Sequence, residues 1–417
     1  MSLLLRDVEV DGHHVDVRID DGHVAEIGTL HDADQIIDGR GGALLPGLHD
    51  HHLHLFALAA ARASIDVGSG LEALRGAAGT WLRAVNARES VDRHVLDGLV
   101  PDRPVRVQHR SGGLWMLNSA ALERVAGILD DSPDVERDAA GEPTGRLWRY
   151  DARLRPALPA SSADLGGVVD ELHGYGLTSV TDATPDLDPD AVSALRALPL
   201  EVTLLGDPTG SAARKLLLRD HDLPTYDELV TSIADIHARG RPVAVHCVTR
   251  ESLLLTLAVL DEVGRLPGDR IEHAAVVPDP TMLRGLTVVT QPAFVTTRGD
   301  DYARDVSPHD LPHLYPYASL LDAGVDVLAS SDAPYGPLDP WEVIRAARDR
   351  DLGPDERVSA AVSLAGYLTD SDGRARKVEV GTPARFCLLH VPLAEALRNP
   401  DAGLVRQVVA SGAVPGS

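Results

Sequence analysis

Lysine is almost missing from this chain. Lys215 and Lys377 are the only two, so 37 of the 39 basic residues are arginine. Cysteine is as scarce. Cys247 and Cys387 both fall in apolar runs, Ala244-Val-His-Cys-Val248 and Arg385-Phe-Cys-Leu-Leu389, as buried free thiols do. Two cysteines in a chain of this length exclude a disulfide scaffold. Aromatic residues make up 4%, so the core must rest on Leu, Val, Ile and Ala. Positive charge is short as well: the formal net charge is −24. That excludes a nucleic-acid backbone or an anionic membrane as the main partner, since both need clustered cations. No apolar run approaches the ~20 residues of a membrane span. Met1–Val10 holds three leucines before Arg6-Asp7, too few for a secretory h-region. A soluble cytoplasmic protein acting on a small molecule is expected, with a homo-oligomer left open.

What is present is an ordinary globular balance, 44% hydrophobic and 24% charged over 417 residues. Residues 1–45 read as short strands: Val15–Ile19 alternates apolar and polar, Asp20–His23 is a turn, and Val24–Ile27 returns. Ile36-Ile37 and Ala43–Leu45 follow before Pro46-Gly47. From 48 to 378 short apolar runs alternate with helical stretches such as Thr225–Arg239 and Glu251–Val263. The strand candidates are Leu48–Leu55, Val105–Val107, Thr178–Val180, Val202–Leu205, Leu216–Leu218, Val243–Val245, Arg270–Ile271, Val288–Thr290 and Val325–Ala329. Such alternation predicts a parallel α/β fold, and a (β/α)8 TIM barrel fits the length. No GxGxxG follows a strand and no P-loop occurs, which argues against nucleotide folds. Strands return at Phe386–His390 and Leu404–Val409, with a turn at Ser411-Gly412. The expected layout is a composite β domain from 1–47 and 379–417 flanking a barrel over 48–378. The Asp/Pro/Gly-rich segment Leu129–Arg155 reads as a loop, either a lid or an insertion.

Four motifs sit within or at the C-terminal ends of strand candidates, where barrels deliver active-site groups. In Leu48-His-Asp-His-His-Leu-His-Leu55, His52 and His54 are two apart and so share a strand face. His51 has the opposite parity, and His49 is less easily placed. Val243-Ala-Val-His246, Arg270-Ile-Glu-His273 and Val327-Leu-Ala-Ser-Ser-Asp332 supply the others. Each alone has a plainer explanation: a solvated His-rich turn, a structural histidine, or an Asx-turn before Pro334. Together they are the neutral imidazoles and carboxylate that hold Zn²⁺ with a position left open for water. A water so held ionises near neutral pH, and a carboxylate beside it can carry its proton to a leaving amine.

Lys215 opens the run Lys-Leu-Leu-Leu218. A lysine there can simply snorkel from a strand edge. Yet this chain uses arginine almost wherever a cation is wanted, so a lysine suggests a task a guanidinium cannot do. A partly buried amine can become neutral and then form a carbamate with CO₂ that bridges two metals.

The order Pro46-Gly47, Asp50, His52-Leu-His54, Lys215, His246, His273, Asp332 resembles the amidohydrolase superfamily, specifically its amidohydrolase-3 branch of N-substituted formamide deformylase-like proteins. Asn118-Ser-Ala-Ala-Leu122, Gly176-Leu-Thr-Ser-Val-Thr-Asp182, Ser331-Asp-Ala-Pro334 and Gly381-Thr-Pro-Ala384 are similar to segments of that branch. The resemblance implies a distorted (β/α)8 barrel with a composite β-sandwich. It implies one or two divalent ions, usually zinc. His52 and His54 would bind the more buried ion with Asp332, and His246 and His273 the second, with carboxylated Lys215 between them. Asp332 would also be the general base in hydrolysis of a non-peptide C–N bond in an N-acyl, formamide or cyclic amide substrate.

The chain departs from the branch before Asn118, where Ser111-Gly-Gly113 replaces a Ser-Gly-His run. His109 or Arg110 is the substitute expected to meet substrate, and Arg298 and Tyr335 are further loop candidates, with Tyr302, His309 and His313 beside them. His246 is followed by Cys-Val-Thr-Arg rather than the branch's Gly-Asp pattern. A mononuclear deaminase of the same fold would carry Glu three residues after that histidine, where Thr249 stands. An ester or phosphotriester hydrolase is another chemistry open to the same site. A catalytically dead interaction protein would have lost ligands, and none is missing.

Overall fold

Eight parallel strands organise the larger part of the chain: Leu48–Leu53, Leu177–Asp182, Glu201–Leu204, Arg214–Leu217, Val243–Cys247, Arg270–His273, Thr287–Thr290 and Asp326–Ala329. They come from a computed structural model that describes residues 2–159 and 163–410. The turn expected at Ser411-Gly412 lies outside the described residues. The first three strands form one sheet and the last five another, each in parallel register. Backbone hydrogen bonds link their ends: Lys215 N to Leu205 O at 3.0 Å, Asp332 N to His52 O at 2.8 Å, and His54 N to Ala333 O at 2.9 Å. Every residue of Leu48–Leu53, Leu177–Asp182 and Arg270–His273 is buried. Parallel strands are covered on both faces, so even the polar side chains of these strands lie inside. The result is an α/β fold of the TIM-barrel-like kind.

Helices return the chain between strands. Tyr226–His237 begins at a capping box, in which Thr225 and Glu228 satisfy each other's backbone N–H groups. Arg250–Val263 begins at Thr249, which accepts from Ser252 N. No helix among the described residues is long and apolar enough to cross a membrane.

Both chain ends build antiparallel structure. One sheet orders His23–Gly28, His13–Asp20, Leu3–Val10 and Gln35–Asp38; the other orders Val405–Val409, Phe386–Leu389 and Leu44–Pro46. One apolar cluster draws Leu5, Val17 and Ile19 from the first, and Leu44, Phe386 and Val409 from the second. The Asp21-Gly22 turn holds both residues at positive φ, 48° and 75°, as a tight hairpin requires.

The chain divides into two compact units: residues 1–54 with 166–417, and residues 55–165. The terminal sheets thus fall in the same unit as the eight strands. The second unit is built on a six-stranded sheet in the order Val135–Arg137, Pro143–Trp148, Leu114–Leu117, Val105–His109, Leu82–Ala87, Ile65–Asp66. Two expectations are corrected here. Val105–Val107 is no member of the parallel eight, because a short apolar run looks alike in any sheet and only pairing decides its place. Leu129–Arg155 is no bare loop; it supplies two strands of this sheet and the short helix Asp151–Leu154.

Candidate metal centre

The first parallel strand alternates its histidines between two environments. His49 and His51 stack on each other, ring centroids 4.3 Å apart. His49 Nε2 meets Thr181 Oγ1 at 2.8 Å, and His51 Nε2 meets Thr369 Oγ1 at 2.8 Å and Gly366 O at 3.1 Å. They belong to the packing of the strands. His52 points the other way, and His54 follows one residue past the strand end. Their rings meet edge-on at 5.4 Å.

Asp332 lies three residues beyond the eighth strand. Its Oδ1 is 3.3 Å from His54 Nε2 and 3.6 Å from His52 Nε2. The donor atoms of His52, His54 and Asp332 all lie within 4.8 Å of one another, close enough to hold one metal ion. Ring contacts continue the group: His52 to His273 at 4.8 Å, and His273 to His246 at 4.4 Å. The structure therefore gathers all four expected histidines with Asp332. His273 and Asp332 take left-handed backbone, φ 70° and 52°. Such conformations cost ~1–3 kcal/mol each and collect at functional sites.

Each imidazole of the inner group is anchored through Nδ1. His52 Nδ1 donates to Glu272, His273 Nδ1 meets Gln291 Oε1 at 2.8 Å, and His54 Nδ1 meets Thr184 Oγ1 at 3.1 Å. That leaves Nε2 of His52 and His54 turned to Asp332, the arrangement by which metal-binding histidines are oriented. Burial, aided by the Lys215 charge, pulls His52 down to about 4, and burial with the charge of His52 pulls His273 down to about 3. Both are neutral, as ligands must be. Burial opposes the charge on Asp332, but the surrounding His54, His52 and His273 outweigh it and hold the carboxyl below its usual range. Glu272 is likewise kept ionised against burial by Arg270, His52 and Lys215.

Lys215 is buried, 4% exposed, and lies inside the fourth strand rather than ahead of it. Its Nζ has no hydrogen-bond partner among the described residues. Burial lowers its pKa, favouring the free amine. An orphaned buried amine beside four histidines and an orphaned carboxylate oxygen on Asp332 is a donor set that fits bound divalent cations.

Other candidates sit as follows. The Tyr335 ring meets His54 edge-on at 5.8 Å, and Arg298 donates to Tyr335 O at 2.7 Å. His309 bonds Arg250 at 3.0 Å, and its ring lies 6.4 Å from that of His313. His109 and Arg110 belong to the second unit, where His109 meets Ser111 Oγ at 2.8 Å and Arg88 O at 3.2 Å. Sequence reasoning missed Glu272, Arg270, Gln291 and Thr184. Glu272 was in view beside His273 but has the opposite strand parity, so it faces the first strand instead. Asp50 belongs to the first histidine motif. It bonds His52 N at 3.0 Å and Ser331 N at 3.2 Å, bracing both ligand loops, while burial raises its carboxyl to about 7.

Buried imidazoles and a carboxylate at the ends of parallel α/β strands define a metal-dependent hydrolase. Comparison with known proteins narrows the class. The model of the amidohydrolase family matches residues 35–371, and the chain belongs to that family, hydrolases of carbon–nitrogen bonds. It is 25% identical to N-substituted formamide deformylase of Arthrobacter pascens, over 89% of either chain. Its fold is similar to that of an uncharacterized metal-dependent hydrolase from Pyrococcus horikoshii, with TM-score 0.71 and 20% identity over 99% of this chain and 100% of that one. It is also similar to a mutant atrazine chlorohydrolase from Arthrobacter aurescens complexed with zinc and atraton, with TM-score 0.55 and 16% identity over 99% and 94%.

Proposed function

We propose that this chain hydrolyses a non-peptide C–N bond in a small N-acyl, formamide or cyclic amide substrate. The observation that carries the reading is the convergence of His52, His54 and Asp332 donor atoms within 4.8 Å, with each histidine anchored from behind. These three would hold one divalent cation, His246 and His273 would hold a second, and Lys215, if carboxylated, would add a ligand. Zinc is the ion proposed, as in the zinc-bound relative. Such ions supply Lewis acidity and a water that ionises near neutral pH. The neutral Lys215 amine forms the carbamate by adding to CO₂ with loss of one proton.

Asp332 takes the proton of the attacking water and passes it to the departing amine. It is placed for both by its backbone bond to His52 O and its contacts with two imidazoles. Burial of the strand residues around it excludes bulk water and strengthens these electrostatic contacts. We further propose that the eight strands close into a (β/α)8 barrel, with the terminal sheets as a composite β-sandwich, in a cytoplasmic enzyme. The hydrogen bonds at both seams and the shared apolar cluster support that layout.

The deaminase alternative needs a carboxylate three residues after His246. Thr249 stands there, caps the helix Arg250–Val263 and donates to Asp220 at 2.7 Å, while Glu251 is exposed. That occupancy favours the hydrolase. The test is metal analysis with a substrate panel. The purified chain, reloaded with zinc, should bind one or two equivalents and release amine from formamides, N-acyl amino acids or cyclic amides. A chain that binds no metal, or that cleaves only esters or phosphotriesters, contradicts the reading.

A further inference from the structure

Arg298 stands one residue away from the candidate metal ligands. It donates through Nη2 to the backbone oxygen of Tyr335 at 2.7 Å, and the Tyr335 ring lies against His54. Tyr335 N in turn bonds Asp332 O at 2.8 Å, so the guanidinium is held beside the loop that carries Asp332. The guanidinium carbon lies over Phe294, 4.0 Å from the ring centroid, which fixes its plane. Arg298 is half-buried.

Its guanidinium differs in pairing from those of Arg250 and Arg304. Neighbouring arginines are neutralised: Arg250 by Asp310, and Arg304 by Asp301 and Asp305. Among the described residues no carboxylate forms an ion pair with Arg298. Buried Arg350, which also lacks an ion pair among the described residues, spends its guanidinium on the carbonyls of Leu352, Tyr315 and Leu314, whereas Arg298 has the single bond to Tyr335 O. A guanidinium has five N–H donors, and the bond to Tyr335 uses one. The remaining donors suit a carboxylate, which arginine binds in a fixed, often bidentate plane. The surroundings are apolar: Phe294 and Tyr315 pack in one cluster, with Tyr302 and Tyr335 against it.

We propose that Arg298 binds a carboxylate of the substrate, and that the substrate class is an N-acylated amino acid with an apolar side chain. This rests on the C–N hydrolase reading above and selects one of its substrate classes over neutral formamides and cyclic amides. The reaction balances as addition of water across the amide. The C–N bond breaks, the acyl carbon becomes a carboxylate, and the amino acid leaves with its nitrogen protonated. The Arg298 contact lies on the leaving amino acid and takes no part in bond breaking.

The test compares N-formyl-leucine with N-formyl-leucinamide, which lacks only the charge. The zinc-reloaded full chain should prefer the acid in kcat/KM by about 30-fold or more, the scale of one charge-assisted hydrogen bond. In Arg298→Met that ratio should collapse to about one, through KM, with partial recovery in Arg298→Lys. No preference in the native chain, or a preference that survives Arg298→Met, overturns the proposal. If the native chain cleaves neither compound, the hydrolase reading is what fails. Calorimetric titration of the metal-free chain with N-acetyl-leucine then decides for Arg298. Binding lost in Arg298→Met upholds the carboxylate site, and no binding by the native chain overturns it.

Discussion

Glu272 accepts the Nδ1 hydrogen of His52 through one oxygen, while its other oxygen takes the guanidinium of Arg270. Arg270 also donates to His51 O at 2.8 Å, so the sixth strand fixes the first through one buried chain of contacts. Glu272→Gln keeps the shape but weakens acceptance from His52. It should lower metal affinity by about 10–100-fold, the usual effect of losing such an anchor. Competition with a metal chelator measures this without any substrate. Glu272→Ala also strands a buried guanidinium and should destabilise the fold by ~3–5 kcal/mol, seen as a fall in Tm.

Lys215 should behave differently from any other cation in the chain. Lys215→Arg keeps a basic side chain of similar reach, but a guanidinium stays protonated and cannot form a carbamate. Metal content, measured by elemental analysis, should fall from two equivalents to one or fewer, with turnover reduced by at least ~100-fold as an order of magnitude for a lost metal contact. Two equivalents retained in Lys215→Arg would show that the second site does not depend on the amine.

Thr249 caps a helix where a deaminase would carry a catalytic acid. Thr249→Ala should cost ~1 kcal/mol of stability, the usual loss for such a cap. Amide hydrolysis should stay within about twofold of the native rate, since surface caps away from the chemistry act on stability. A collapse of activity without loss of Tm would revive the deaminase chemistry.

Cys247 and Cys387 are both buried, and burial pushes each thiol up to about 12. Thiolate is the reactive form, so neither should react with a chromogenic disulfide reagent at neutral pH in the native protein. Both should react once guanidinium unfolds the chain. Rapid labelling of the native protein would contradict the packing around the fifth strand and the C-terminal sheet.

The ligand set was legible because strand parity and strand ends act locally. His52 and His54 could be paired from their spacing alone, and Asp332 from its place after Val327–Ala329. Eight of the nine strand candidates became the parallel eight: short apolar runs such as Val243–Val245 mark some, and the histidine motifs mark Leu48–Leu55 and Arg270–Ile271. Val105–Val107 misled because its pairing partners, Leu82–Ala87 and Leu114–Leu117, are chosen by topology and not by its own pattern. Glu272, Gln291 and Thr184 were hidden for a related reason. Each acts on a histidine from another strand, across separations of 18 to 220 residues that no local pattern records. The unpaired state of Arg298 is likewise a fact of three dimensions, in a chain where arginine is the default cation.

The central claim is a metal-dependent C–N hydrolase built on His52, His54 and Asp332. Its most direct measurement follows amine release from an N-acyl amino acid as metal is stripped by a chelator and then restored. The account predicts loss of hydrolysis on stripping and recovery at one to two equivalents of added zinc. It also predicts that Asp332→Asn neither binds metal tightly nor recovers. Hydrolysis that persists in the stripped protein, or in Asp332→Asn, would contradict it.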